Sequence, residues 1–197
     1  MAGTTTTMAG HVHGYCACGR LRYTIDCSNL DSDLTLSAFC HCSRCQRING
    51  APFVHSLHLK YPAVTWDPKP EKQSGDPPRA PETGFSAQVE TYESLPGKKW
   101  KLRCKTCGSP MGTWNGERSK WTIWPNTIAR KPTEKTSGNL AEGPFDIPAD
   151  ILPRFKANHH QFYGPWRTMD VYDGLDKFVG YKDISQKVDD EGRALDS

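Results

Sequence analysis

The chain has 197 residues, enough for one domain with insertions and enough to bury a core, so size alone does not oblige it to use metal or disulfide staples. Its 25 basic and 22 acidic residues are spread along the chain without the basic run of a nucleic-acid arm, and no segment approaches the roughly 20 apolar residues of a membrane helix, so neither nucleic acid nor membrane is expected as a partner. The start, MAGTTTTMAG, lacks the charged and apolar regions of a secretory signal, which makes a cytoplasmic address the expectation.

Residues 1–13 read as a flexible N-terminus, ahead of a single domain over 14–185 and a polar, flexible tail over 186–197. Within the domain, residues 20–26 alternate Leu21, Tyr23 and Ile25 with Arg22 and Thr24, the period of two that marks a half-buried strand. Residues 34–39 form a strand leading into a cysteine cluster. Residues 53–60 alternate again, placing Phe53, His55, Leu57 and Leu59 on one face, where His55 reads as a core histidine with a satisfied ring. Further strands are predicted at 87–93, 99–103, 111–115 and 120–124, with Asn115-Gly116 as the turn signal between the last two. Helix is confined to a turn or two after Cys42 and a short piece at 149–156. Two stretches interrupt the strands. Residues 67–84 carry five of the 15 prolines and read as an exposed insertion, and 130–150 is similarly rich in Pro, Gly and polar residues.

Seven of the eight cysteines fall in three clusters: Cys16-Ala-Cys18-Gly, Cys40-His-Cys42-Ser-Arg-Cys45 and Cys104-Lys-Thr-Cys107-Gly. Without an export signal, and with spacings too short for strain-free bridges, the pattern points to metal rather than disulfides. A C-x-x-C turn aims two sulfurs at one ion, and in an extended segment residues i and i+2 share a face. Cys16, Cys18, Cys104 and Cys107 therefore make a closed tetrahedral zinc site, which is a structural role. Cys40, Cys42 and Cys45 offer three thiolates and leave one coordination position for water or a substrate thiol, the arrangement of a catalytic zinc. His41 lies between two ligands and should point away; His55, His58, His159 or His160 could instead close the site as Cys3His. Arg44, Gln46 and Arg47 follow the cluster and are candidate substrate-binding residues, with surface residues of a short turn as the plainer alternative. Cys27 belongs to no cluster and reads as a small buried residue.

The segments GYCACGRLRY, FCHCSRCQRINGAPF, YESLPGK and CKTCGSPM, with HQFY and DGLDKF further on, resemble the glutathione-dependent formaldehyde-activating enzyme (GFA)/CENP-V family. The resemblance implies an all-β, zinc-containing β-tent of small antiparallel sheets with minor short helices. It also implies a structural zinc on Cys16, Cys18, Cys104 and Cys107 and a labile catalytic zinc on Cys40, Cys42 and Cys45, two zinc ions per chain. The implied activity is that of a carbon–sulfur lyase or synthase acting on a glutathione-type thiol and a small aldehyde, giving an adduct like S-hydroxymethylglutathione. Two other readings share the same cysteines: a noncatalytic zinc-stabilised binding module, as in the centromere-associated relatives, and an enzyme of this fold acting on another substrate in specialised metabolism.

Overall fold

The computed structural model describes residues 10–67, 88–132 and 142–195. The insertion expected at 67–84 lies outside the described residues beyond Asp67, as do the core of the 130–150 stretch and residues 1–9 and 196–197.

Strands β1 (His11–Tyr15) and β2 (Arg22–Asp26) form a hairpin, followed by the one-turn helix α1 (Leu30–Asp33). β3 (Leu34–Cys40) runs into the two-turn helix α2 (Ser43–Asn49), and β4 (Val54–Lys60) and β5 (Val64–Asp67) follow. β6 (Val89–Leu95), β7 (Lys99–Cys104), β8 (Pro110–Asn115) and β9 (Lys120–Ile123) form an antiparallel meander. β10 (Arg130–Pro132) and β11 (Glu142–Phe145) make a separate two-stranded ribbon, and α3 (Leu152–Phe155) lies inside the predicted 149–156. β12 (His159–Gln161), β13 (Asp176–Phe178) and β14 (Lys187–Val188) complete the chain.

The strands assemble as a three-stranded sheet β1-β2-β5 and a nine-stranded sheet β14-β13-β12-β3-β4-β9-β8-β7-β6, beside the ribbon. The fold is all-β with minor short helices, as expected. β12 lies parallel to both β3 and β13, a pairing that only a long connection permits.

Two boundaries need correction. The N-terminal boundary at 14 falls inside a strand: β1 begins at His11, and Val12 is fully buried in the core. The tail expected to fray from 186 begins instead with β14, in which buried Val188 pairs with Lys177. Both misreadings share a cause. The anchoring apolar side chain is single and flanked by polar residues, so no periodicity reveals it. The predicted loop at 130–150 likewise contains the β10–β11 ribbon.

The core lies between the three-stranded sheet and one face of β4, β9, β8 and β7. It is built on Tyr23, Trp66, Trp114 and Trp121 with Leu21, Ile25, Leu57, Leu59, Leu102, Met111 and Ile123. Trp66 on β5 meets Trp121 on β9 with ring centroids 5.6 Å apart, and Trp121 meets Trp114 at 4.4 Å. Rings of this size each bury about 150–250 Å², so a few tryptophans serve where a Leu-rich core would need many residues. Cys27 is buried here as a small apolar group, as its isolation suggested. His55, on β4, is half-buried with its Nε2 hydrogen-bonded to Ser37 Oγ at 3.0 Å.

Candidate metal centres and the cavity between them

All eight cysteines are free thiols, which removes the disulfide reading. The turn of the β1–β2 hairpin holds the first pair. Gly19 takes a left-handed φ of 72° there and donates its amide to Cys16 O at 2.9 Å. The β7–β8 turn holds the second pair in the same style, with Gly108 at φ 72° donating to Cys104 O at 2.8 Å. Only a residue without a Cβ takes this conformation freely, which is why each knuckle ends in glycine. The four sulfurs lie within 4.8 Å of one another. Cys16 Sγ is 3.5 Å from Cys18 Sγ, and Cys18 Sγ is 3.8 Å from Cys104 Sγ. A tetrahedron with metal–sulfur bonds of about 2.3 Å has edges of about 3.8 Å, so the set fits zinc. The amide of Leu21 donates to Cys16 Sγ at 3.3 Å, and Ser109 Oγ lies 3.2 Å from Cys107 Sγ. Burial raises the Cys107 thiol, but hydrogen bonds from Ser109, Cys18 and Cys104 together outweigh it and bring the pKa down to about 6. These contacts favour the thiolate, the form a metal requires.

The second group brings together Cys40 at the end of β3, Cys42 capping α2 and Cys45 in its first turn, again with sulfurs within 4.8 Å. Thiol donation from Cys40 and then Cys45, helped by the charge of Lys101, holds Cys42 far below the ordinary thiol range. The bonds with Cys42 and Cys45, together with burial, push Cys40 up. Cys45 is raised as well, so without a cation the group is one thiolate, Cys42, held by two thiols. Among the described residues no histidine joins them. His41 is fully buried and turned away: its Nε2 meets His160 Nδ1 at 2.8 Å, and His160 Nε2 meets Asp173 Oδ2 at 2.8 Å. The carboxylate accepts from His160 Nε2–H, which leaves His160 Nδ1 to accept from His41 Nε2–H. The chain reaches this arrangement by laying β12 beside β3, with the His41 amide donating to Gln161 O at 3.0 Å.

Next to the three sulfurs is a cavity of about 220 Å³. Its floor is one face of the sheet. Ser56 and His58 come from β4, Thr122 and Lys120 from β9, Thr113 and Asn115 from β8, and Lys101 and Lys99 from β7. The register aligns them in rows: His58, Thr122, Thr113 and Lys101 across four strands, then Lys120, Asn115 and Lys99. The alternate residues, Leu57, Leu59, Trp121, Ile123, Trp114 and Leu102, face the tryptophan core. Lys101 Nζ is 3.9 Å from Cys45 Sγ and 5.2 Å from the Trp124 ring centre, and Trp124 packs on Cys40 and Cys45. The charged residues lining the cavity are Arg44, Lys99, Lys101, Arg118 and Lys120, all cations. His58 stays neutral, its pKa pushed down to about 3 by burial and then by these neighbours.

Of the three residues expected to bind substrate, only Arg44 lines this cavity. Gln46 is committed to the backbone, its Nε2 donating to Pro52 O at 3.0 Å and Trp166 O at 2.7 Å. Arg47 lines a different groove with Glu90, Tyr92 and Arg103. Helix α2 turns successive side chains in different directions, so of these three neighbours of the cysteines it brings only Arg44 to the cavity. The signal that could have found the cavity was the alternation in KWK, GTWN and KWTI, where polar residues hold one strand face and apolar ones the other.

A family model described as glutathione-dependent formaldehyde-activating enzyme matches residues 11–137. A crystal structure of a Rhodobacter sphaeroides protein aligns over 67% of this chain and 97% of its own, at 16% identity and a TM-score of 0.39. No curated protein matches. No helix among the described residues is long and apolar enough to cross a membrane.

Proposed function

Because the chain belongs to the glutathione-dependent formaldehyde-activating enzyme family, we propose that it is a zinc-dependent enzyme that makes or breaks a carbon–sulfur bond between a glutathione-type thiol and a small aldehyde. Cys16, Cys18, Cys104 and Cys107 would hold a structural zinc, and Cys40, Cys42 and Cys45 a second one whose chemistry, when bound, is to acidify a thiol and polarise a carbonyl.

In the addition, one S–C bond forms, the C=O π bond opens, and the thiol proton is transferred to what becomes the hydroxyl oxygen. The chain's own residues contribute binding and charge. Lys101, 3.9 Å from Cys45 Sγ, places a positive charge where a substrate thiolate would sit. Arg44 offers a salt bridge to a substrate carboxylate at the cavity wall. Trp124 and Phe162 supply an apolar wall beside the sulfurs, which excludes water and limits the aldehyde to a small one. Tyr181 also lines the cavity; burial raises its pKa, so it keeps its proton and can donate to the aldehyde oxygen.

The observation that carries this reading is the three-thiol group opening on a cavity lined by five cations and no carboxylate. The test is exchange of ¹³C-formaldehyde between its free and glutathione-bound forms, followed by NMR with zinc-loaded protein. Exchange should accelerate in proportion to enzyme and return to the uncatalysed rate with Cys42→Ser. Exchange at the uncatalysed rate with native protein carrying two zinc ions would overturn the assignment.

A further inference from the structure

The cavity holds more positive charge than a glutathione-type thiol needs. Glutathione carries two carboxylates and one ammonium at neutral pH, a net charge of about −1 before its thiol ionises. The lining offers five cations and no carboxylate, and its three sulfurs, with one Zn2+ bound, would carry about −1, so positive charge remains in excess even after the substrate thiol ionises. Elsewhere the chain pairs its cations even at the surface, as in Lys98–Glu117 at 2.9 Å, Arg103–Glu90 at 2.9 Å and Lys187–Asp176 at 2.6 Å. Among the described residues none of the five cavity cations has such a partner. Lys120 Nζ reaches only the neutral Thr35 Oγ1, at 3.2 Å.

Position separates these cations into two groups. Lys101 stands beside the sulfurs. Lys99 lies two residues further along β7, about 7 Å away at the rise of an extended strand. It is level with Lys120 through their shared neighbour Asn115. Arg118 sits in the β8–β9 turn at that same end, its backbone amide donating to Asn115 Oδ1 at 3.2 Å. Lys99 and Lys120 are half-buried, and both have their pKa lowered, by burial first and then by Arg118. Thr113, a further lining residue, is buried with its Oγ1 lacking a hydrogen-bond partner among the described residues. Charges crowded together and partly desolvated cost free energy unless an anion joins them.

We propose that Lys99, Arg118 and Lys120 form an oxyanion subsite, at the end of the cavity away from the three cysteines, that selects thiols bearing an additional phosphate or carboxylate. The proposal rests on the functional reading above for the place of the thiol, and it adds the substrate's charge. Of the two oxyanions, phosphate answers three cations lining one end of the cavity better, because it brings close to two charges on one compact group.

Matched ligand pairs test it by calorimetry on the full zinc-loaded chain: pantetheine against 4′-phosphopantetheine, and the glycyl monoethyl ester of glutathione against glutathione. The readout is the affinity ratio within a pair, which cancels effects common to both members. The phosphate should improve affinity at least about tenfold, equivalent to about 1.4 kcal/mol, and the carboxylate by a smaller factor. The phosphate ratio should drop below about threefold in Lys99→Gln/Lys120→Gln and shrink with added salt. Lys105→Gln/Lys156→Gln, which removes the same two charges at exposed positions outside the cavity, should leave it intact. A phosphate ratio near unity, a ratio undiminished in the double variant, or no binding by either phosphate- or carboxylate-bearing ligand would overturn the subsite. A gain confined to the carboxylate pair would overturn the preference for phosphate. Formaldehyde exchange is measured separately, so a preserved ratio without exchange would sink the enzymatic reading and leave the subsite standing.

Discussion

Replacing one cysteine in each sulfur group should have unequal consequences, and the structure sets the scale of the difference. Cys104 is fully buried within the tryptophan core, and its partner Cys18 lies 86 residues earlier in the chain. The four-sulfur site therefore fastens the turn of the β1–β2 hairpin to the β7–β8 turn. Structural zinc sites contribute about 10–16 kcal/mol of apparent binding free energy, or about 3 kcal/mol per ligand if shared evenly over four. Removing one ligand forfeits at least that share, against a net domain stability of about 5–15 kcal/mol. At about 2–4 °C per kcal/mol for a chain of this size, Cys104→Ser should melt at least about 6–12 °C below the native protein, or fail to fold. Cys42 is half-buried at the cavity, and the three-sulfur group is also held by β3, α2 and Trp124. Cys42→Ser should cost about 1 kcal/mol or less, within the usual range for a substitution that leaves the core intact, while losing the second zinc. Thermal melts with metal analysis of the same samples check both variants. Equal melting losses, or two zinc ions retained in Cys42→Ser, would refute the division between a structural and an open site.

Gly112 on β8 has φ of 156°, and a Cβ there would overlap the backbone carbonyl oxygen of Thr122 on β9. Backbone cannot swing aside as a side chain can, so Gly112→Ala should destabilise by about 2–3 kcal/mol, and a melting temperature within a degree of native would contradict the register. His58 should make stability pH-dependent. Its pKa of about 3 in the folded chain lies below the ordinary 6.5, so the unfolded chain takes up the proton first. Its contribution is therefore complete above about pH 6.5 and is lost as the pH falls toward about 3. His58→Gln escapes that loss, so melting curves at stepped pH should show the variant gaining on native protein through this window; a constant gap would rule the burial argument out.

The cysteine groups were legible in the sequence because ligand knuckles are local. A Cys-x-Cys or Cys-x-x-Cys turn ending in glycine carries its geometry within five residues, and the grouping of four and three follows from tetrahedral sulfur coordination. The all-β class was legible for the same kind of reason, since a period of two in RYTID or KWTI specifies a strand with one buried face. Local pattern could not say which strands lie side by side. β4 pairs with β9 across about sixty residues, and only that pairing carries His58 into the same row as Thr122, Thr113 and Lys101. The short β12 reads as nothing in isolation, yet placed parallel to β3 it brings His160 to His41 and turns that ring away from the sulfurs. The cysteine groups were thus set out by residues a few positions apart, whereas the cationic cavity beside three of them exists only where β4 joins the β7–β9 meander and their polar faces lie together.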